Sequence, residues 1–119
     1  MKILIVDDSK AMRMIVLRQL RSAGIGSTYL EATNGREALA VLEREAVDLV
    51  LSDWNMPEMT GIELIEALAA AGSTVRFGFV TSESTEEMRA RAADAGASFL
   101  VAKPFTAEDL GHESAKVAA

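Results

Sequence analysis

The chain of 119 residues is half hydrophobic and one quarter charged, and its formal net charge is −6. This length is close to the commonest domain size, so we expect one domain over residues 1–119. The acidic balance argues against sequence-independent binding to nucleic acid and against anionic membrane surfaces. The chain has no cysteine and one histidine, so any bound metal must be held by oxygen ligands.

The N-terminal sequence predicts a cytoplasmic protein. Met1 is followed directly by the strand-like run KILIV, without the charged segment and cleavage site of a signal peptide. No apolar segment approaches the roughly 20 residues that cross a bilayer. We therefore expect no membrane insertion.

The first predicted elements are a strand and a helix. Residues 2–6 form an apolar, β-branched run that is typical of a strand. Apolar residues then recur at helical spacing, with Ser9 or Asp8 as the expected N-cap and Gly24 as the C-terminal stop.

A second and a third unit of the same kind follow. Residues 28–32 predict the second strand, and Asn34-Gly35 begins the second helix. The continuous apolar run at 47–52 predicts a strand that is covered on both faces, as in a parallel sheet. This run ends at Asp53, and a polar loop leads to a third helix after Gly61.

The last two units complete the pattern. Residues 75–80 predict the fourth strand, and a polar helix with its stop at Gly96 follows. Residues 99–102 predict the fifth strand, and 106–119 predict a last helix that is poor in apolar residues and contains Gly111. Five successive β-α units predict an α/β fold, a doubly wound parallel sheet with helices on both faces.

Polar residues follow four of the five predicted strands. Because all strands of a parallel sheet end at the same edge, these side chains should meet there. Asp7 and Asp8 follow the first strand, Asp53 the third, Thr81 the fourth and Lys103 the fifth. Taken singly, each has a structural explanation: Asp7 and Asp8 as a helix N-cap, Thr81 as a helix cap, and Lys103 as a solvated residue of a turn. Their joint placement indicates a functional site.

The composition of this edge indicates phosphoryl chemistry. Three neighbouring carboxylates repel one another unless their pKa values rise or a cation lies among them. A Mg²⁺-type ion, held by carboxylates, a backbone carbonyl and water, is the natural solution. Together with Lys103 and Thr81 it would stabilise a transferred phosphoryl group. We therefore predict that Asp53 is a nucleophile that becomes an acyl phosphate.

The motifs at these strand ends resemble the receiver domain of two-component response regulators, and most closely its single-domain chemotaxis members. The shared motifs are IVDDS at 5–9, DWNMPEMTG at 53–61, VTSES at 80–84 and KPF at 103–105. The resemblance extends from Lys2 to about Asp109. It implies a flavodoxin-like, five-stranded parallel sheet in the order 2-1-3-4-5.

The same resemblance implies a metal-dependent phosphoacceptor. Asp53 would accept a phosphoryl group from a phosphohistidine on a sensor histidine kinase or a phosphotransfer domain. Asp7 or Asp8, with Asp53 and the backbone carbonyl of Asn55, would hold Mg²⁺, for which Mn²⁺ could substitute.

Two further residues would act on the phosphoryl group itself. The resemblance implies that Thr81 and Lys103 contact its oxygens and that Thr81 moves inward on phosphorylation. The family also catalyses its own dephosphorylation by water, at a rate that the positions of Asn55 and Glu83 tune in relatives. Such a domain acts on itself and needs no separate substrate.

The signal would leave a monomeric domain through the face formed by the fourth helix, the fifth strand and the fifth helix, which binds a downstream protein in relatives. Family members often carry an aromatic switch residue three positions before the lysine. Here that position is Leu100, with Phe99 before it. Leu100 or Phe99 would have to report the change differently, and the glycine in the last helix could alter the output.

Two surface features add to these expectations. Lys10, Arg13, Arg18 and Arg21 give the first helix a basic face, which is either merely solvated or docks to an acidic phosphodonor domain. Trp54 is expected to be half-exposed beside the site.

Three alternatives stay open. The chain could be a receiver cut from a longer DNA-binding regulator. An aspartyl-phosphate phosphatase would require a DxD-type motif after the first strand, and Asp7-Asp8-Ser9 lacks that spacing. An inactive scaffold would keep the fold without phosphorylation, although all five functional positions are filled.

Overall fold

A computed structural model describes residues 1–103 and 105–118, with side chains described up to 114. Pro104 of the KPF motif and the predicted end of the last helix at Ala119 lie outside the described residues.

The five predicted β-α units are present. The strands are β1 (Lys2–Val6), β2 (Thr28–Ala32), β3 (Leu49–Ser52), β4 (Arg76–Thr81) and β5 (Phe99–Ala102). The helices are α1 (Lys10–Ser22), α2 (Gly35–Arg44), α3 (Gly61–Ala70), α4 (Glu86–Asp94) and α5 (Ala107–Ala118). All strands pair in parallel in one sheet of order β2-β1-β3-β4-β5, which confirms the predicted fold and strand order.

The sheet is buried on both faces, as the continuous apolar strands predict. Side chains alternate along β1, so Ile3 and Ile5 face one layer and Leu4 and Val6 face the other. The first layer contains α1 and α5, whose Leu20 and Leu110 are fully buried. The second layer contains α2, α3 and α4. The resulting sandwich leaves the strand ends open along one edge.

The helices begin and end where local chemistry predicts. The Ser9 hydroxyl accepts the Met12 N–H at 3.2 Å, so Ser9, and not Asp8, is the N-cap of α1. Gly24 and Gly96 follow α1 and α4 with φ of 72° and 101°, a region that favours glycine. Asp8 is therefore left available at the edge of the sheet.

Two strands differ from their predicted bounds. β3 begins at Leu49 because Asp48 exchanges hydrogen bonds with Lys2: its carboxylate accepts the Lys2 N–H at 2.7 Å, and its N–H donates to the Lys2 carbonyl at 2.9 Å. β4 is shifted by one residue and includes Thr81, which is fully buried. The shift brings Thr81 into the sheet itself.

Gly111 does not interrupt α5. A Cβ built at this position would lie 2.7 Å from the Cβ of Ala23, so the glycine allows α5 to approach the C-terminal end of α1. The Gln19 side-chain amide of α1 also donates to the Phe105 carbonyl at 3.0 Å, just before α5. The glycine that weakens the helix in isolation thus favours its packing.

This packing role predicts that Gly111→Ala destabilises the fold. Alanine is about 1 kcal/mol more favourable than glycine inside a helix, but overpacking typically costs 1–3 kcal/mol, so we expect a net loss of about 1 kcal/mol. Urea denaturation would measure the free energy of unfolding of Gly111→Ala, of Ala23→Gly and of the double variant. In the Ala23→Gly background, adding Gly111→Ala should cause no further loss of stability. A gain in stability from Gly111→Ala alone would contradict the packing role.

Candidate functional site

Asp7 lies at the end of β1 and is the most buried acid of the site, with 4% of the residue exposed. One carboxylate oxygen accepts the Ser9 N–H at 2.9 Å, and the other accepts from the Lys103 ammonium at 3.2 Å. A buried charge is stable only when it is paired in this way. Asp7 is therefore held rigidly at the edge of the sheet.

Asp53 follows β3, the neighbour of β1 in the sheet. Its N–H donates to the Val6 carbonyl at 2.9 Å, which fixes the end of one strand against the other. Its Oδ1 accepts the Trp54 N–H at 2.7 Å, and its Oδ2 lies 3.7 Å from the Lys103 Nζ. One ammonium thus lies beside two carboxylates.

Asp8 completes a group of three acids. Asp7, Asp8 and Asp53 each offer a carboxylate oxygen, and these oxygens lie within 4.8 Å of one another. Burial decreases from Asp7 through Asp53 to the exposed Asp8, so the group opens towards solvent. Three hard oxygen donors with a free path to water suit Mg²⁺ or Mn²⁺. The predicted metal ligands Asp7, Asp8 and Asp53 are therefore brought together.

The electrostatic environment raises the pKa of Asp53 above its ordinary value of 3.8. Burial is the largest cause, because it disfavours the charged carboxylate. The nearby Lys103 ammonium opposes this rise, and the negative charge of Asp7 adds to it. A cation at this edge would relieve the same penalty.

Thr81 and Lys103 are joined through the main chain. The Lys103 N–H donates to the Thr81 carbonyl at 2.7 Å, which ties the end of β5 to that of β4. The Thr81 hydroxyl accepts the Glu83 N–H at 3.4 Å. Lys103 is thereby held both by its backbone N–H and by its ammonium, which lies among the acids. Thr81 lies at the same edge, and its hydroxyl is bonded to the following loop.

Asn55 and Glu83 are exposed in the loops after β3 and β4. The predicted role of the Asn55 carbonyl as a metal ligand, and that of both residues in tuning dephosphorylation, stay predictions.

Arg13 is a site residue that the sequence did not reveal. Its guanidinium donates to the Asp7 carbonyl at 2.8 Å and to the Glu31 carboxylate at 2.9 Å, and only 11% of its side chain is exposed. The interpretation of Arg13 as part of a solvated or docking face is therefore wrong. Helical spacing could not reveal this, because Glu31 belongs to a strand that becomes a neighbour only in the folded sheet. Lys10 and Arg18 do remain exposed.

Trp54 is buried, with 7% of the residue exposed, in contrast to the expected half-exposure. Its ring centroid lies 4.8 Å from that of Phe79, and the Arg91 guanidinium carbon lies 6.0 Å from the indole centroid. The indole therefore belongs to the core beneath the site. As the only tryptophan of the chain, it is a natural fluorescent reporter of events at Asp53.

Phe99 and Leu100 point to opposite layers of the molecule. Phe99 packs in the layer of α1 and α5, whereas Leu100 packs in the layer of α2, α3 and α4. The Phe99 ring lies directly over Gly78 of β4, where an added Cβ would be 2.2 Å from its Cζ. The Leu100 carbonyl accepts from the Arg89 guanidinium of α4 at 3.3 Å.

None of the described helices is both long and apolar enough to cross a membrane.

Comparisons with known proteins identify the family of this chain. The family model of the response regulator receiver domain matches residues 3–114. The chemotaxis protein CheY of Pseudomonas aeruginosa is 41% identical, over 98% of this chain and 95% of that protein. CheY-3 of Vibrio cholerae is 40% identical, over 98% and 91%. The solved structure of the V. cholerae chemotaxis response regulator CheY4 superposes with a TM-score of 0.86 at 34% identity, over 98% and 97%.

The raised pKa of Asp53 predicts that Asp53→Asn increases stability at pH 7 in metal-free buffer. A carboxyl group whose pKa rises on folding binds its proton more tightly in the folded state, so stability falls as the pH rises from its unfolded pKa through its folded pKa. Asparagine removes this loss. The gain should therefore shrink as the pH falls through the folded pKa towards 3.8. Urea denaturation in EDTA between about pH 4 and 7 would test this, and a gain independent of pH would contradict it.

Proposed function

Because the chain belongs to the response regulator receiver family, we propose that it is a signalling domain switched by phosphorylation of Asp53. The observation that carries this proposal is the placement of one ammonium, that of Lys103, beside both Asp7 and Asp53, at 3.2 Å and 3.7 Å. A nucleophilic carboxylate, a fixed positive charge and further acids that can hold a metal are what transfer of a phosphoryl group requires.

In the proposed reaction, a carboxylate oxygen of Asp53 attacks the phosphorus of a phosphohistidine on a sensor histidine kinase or phosphotransfer domain. The new O–P bond forms as the P–N bond breaks, and the imidazole leaves with the electron pair and takes up a proton. Lys103 stabilises the charge on the phosphoryl oxygens throughout, because its ammonium is already held at the site. Thr81 supplies a hydroxyl at the same edge.

Mg²⁺, or Mn²⁺ in its place, would be held by Asp7, Asp8, Asp53 and the backbone carbonyl of Asn55. When bound, the ion offsets the negative charge that the carboxylates and phosphoryl oxygens bring together. The three carboxylates within 4.8 Å of one another support this assignment.

The domain would also catalyse its own return to the resting state. Water attacks the phosphorus of the acyl phosphate, the bond between phosphorus and the Asp53 oxygen breaks, and phosphate leaves. Asn55 and Glu83 are exposed in the loops after β3 and β4 and would set the rate of this step. The domain would act as catalyst and substrate of both steps.

Two faces of the molecule suit the two proposed protein partners. On α1, the exposed apolar side chains Met14 (38%) and Ile15 (43%) lie between the exposed cations Lys10 and Arg18, and would contact the phosphodonor. At the β5 edge of the sheet, α4, β5 and α5 form a groove of about 620 Å³ that would bind a downstream target of a monomeric domain. Since the relatives are chemotaxis proteins, we propose chemotactic signalling.

The direct test is phosphorylation by acetyl phosphate with Mg²⁺, followed by intact-mass measurement. The wild type should gain the mass of one phosphoryl group, and Asp53→Asn should gain none. Asp94→Asn, which removes an exposed acid on α4, is the matched control and should behave as the wild type. Equal modification of the Asp53→Asn variant would contradict the assignment.

The position of Lys103 predicts a second, metal-dependent result. Lys103→Met leaves the acids without their ammonium, so we expect a stability loss of about 2–3 kcal/mol at pH 7, somewhat below that for breaking a fully buried pair. Because the ammonium and a divalent cation neutralise the same carboxylates, Mg²⁺ should stabilise this variant more than the wild type.

Thermal unfolding with and without MgCl₂ would measure both effects. Lys10→Met, which removes an exposed cation from α1, is the control and should respond to Mg²⁺ as the wild type does. An equal Mg²⁺ stabilisation of Lys103→Met and wild type would contradict the shared neutralisation.

A further inference from the structure

The loop from Asp53 to Thr60 contains one strained backbone position. Glu58 has a φ of 65°, and it is the only non-glycine residue with positive φ within 1–103 and 105–118. The Met59 N–H donates to the Pro57 carbonyl at 2.7 Å, so the chain makes a γ-turn centred on Glu58. Such a conformation costs an L-residue about 1–2 kcal/mol and persists only where its surroundings hold it.

Asn34, at the N-terminus of α2, holds this turn from outside the loop. Its side-chain N–H donates to the Glu58 carboxylate at 3.1 Å, while its Oδ1 accepts the Glu37 N–H at 2.9 Å and caps α2. The Asn34 side-chain amide therefore bonds to the helix through its oxygen and to the loop through its nitrogen. Serine would keep the cap but would lose the amide donor.

The neighbouring residues add a close packing contact. Gly35 is buried, and a Cβ built on it would lie 2.6 Å from the Met59 Cγ, so the Met59 side chain lies directly on the backbone of α2. Two consecutive loop residues, Glu58 and Met59, are thus in contact with the N-cap of α2, Asn34, and with its first residue, Gly35.

The other end of the loop is closed against the site itself. The Gly61 N–H donates to the Trp54 carbonyl at 2.8 Å, and a Cβ on Gly61 would lie 2.3 Å from the Asp53 carbonyl oxygen. The segment between these closures carries Asn55. Its backbone can vary only as far as the contacts at Glu58 and Met59 allow.

We infer that Asn34 and Glu58 are positioning residues, which hold the loop in the shape that presents the Asn55 carbonyl beside Asp53. The N-terminus of α2 thereby sets the Mg²⁺ affinity of the site from outside it. The inference rests on the proposed metal-binding role of Asp53 and Asn55.

The test is the Mg²⁺ dissociation constant of the full chain, followed by Trp54 fluorescence and by the thermal shift that Mg²⁺ produces. Asn34→Ser and Glu58→Ala should each raise this constant by about tenfold, the lower end of the cost of losing an outer-shell partner. Glu58→Gln keeps an acceptor oxygen and should have a smaller effect than Glu58→Ala. Hydrogen exchange at the Gly61 amide, measured without metal, should accelerate in both weakened variants.

A double-mutant cycle separates this contact from general loosening. If Asn34 and Glu58 act through one hydrogen bond, the double variant should bind Mg²⁺ no more weakly than either single variant. Thr33→Val is the matched control, because it removes a 2.9 Å hydrogen bond to Glu37 at the same helix end without touching the loop. It should leave the dissociation constant unchanged.

Several outcomes would overturn the inference: unchanged Mg²⁺ affinity in the single variants, additive losses in the double variant, or an equal loss in Thr33→Val. These outcomes leave the proposed function intact provided that the wild type binds Mg²⁺ and Asp8→Asn binds it more weakly. A wild type with no saturable Mg²⁺ response by either measurement would overturn the inference and the proposed metal site together.

Discussion

Repulsion among three carboxylates is the constraint on which the rest of the structure depends. Asp7, Asp8 and Asp53 are brought together because β1 and β3 are parallel neighbours that end at the same edge of the sheet. Lys103 contributes one positive charge at that edge, which leaves the group negative overall. Such a group favours any ligand that brings positive charge, and it makes the protonation of Asp53 sensitive to what is bound.

The scaffold around the acids restricts their movement by means of the main chain. Three backbone carbonyls accept hydrogen bonds at this edge: that of Val6 from the Asp53 N–H, that of Thr81 from the Lys103 N–H, and that of Asp7 from the Arg13 guanidinium. Because each of these bonds joins different elements, the positions of the charges are set by the whole sheet and not by one loop. Preorganisation of this kind is what allows a fixed charge to act on a reacting group without rearrangement.

Much of this arrangement could be predicted because it depends on local pattern. The alternation of strand and helix gave the fold class, and acids at strand ends gave the cluster of Asp7, Asp8 and Asp53. The features that were missed depend on partners distant in the chain. Arg13 contacts Glu31 only in the folded sheet, and Trp54 packs into the core against Phe79. Gly111 is explained only by its close approach to Ala23. The strand order came from family resemblance alone, since the alternation of elements is the same for several orders.

The Phe99 ring over Gly78 restricts how this sequence can change. Any side chain larger than hydrogen at Gly78 would enter the space of the ring, and a smaller residue at Phe99 would leave a cavity above the glycine. Each single substitution is therefore costly, whereas an exchange that moves volume from one strand to the other can be nearly neutral. The two positions should thus vary together among descendants of this chain. Because Gly78 and Phe99 are paired in register and face the same layer, such an exchange would keep the bulky side chain in the layer of α1 and α5.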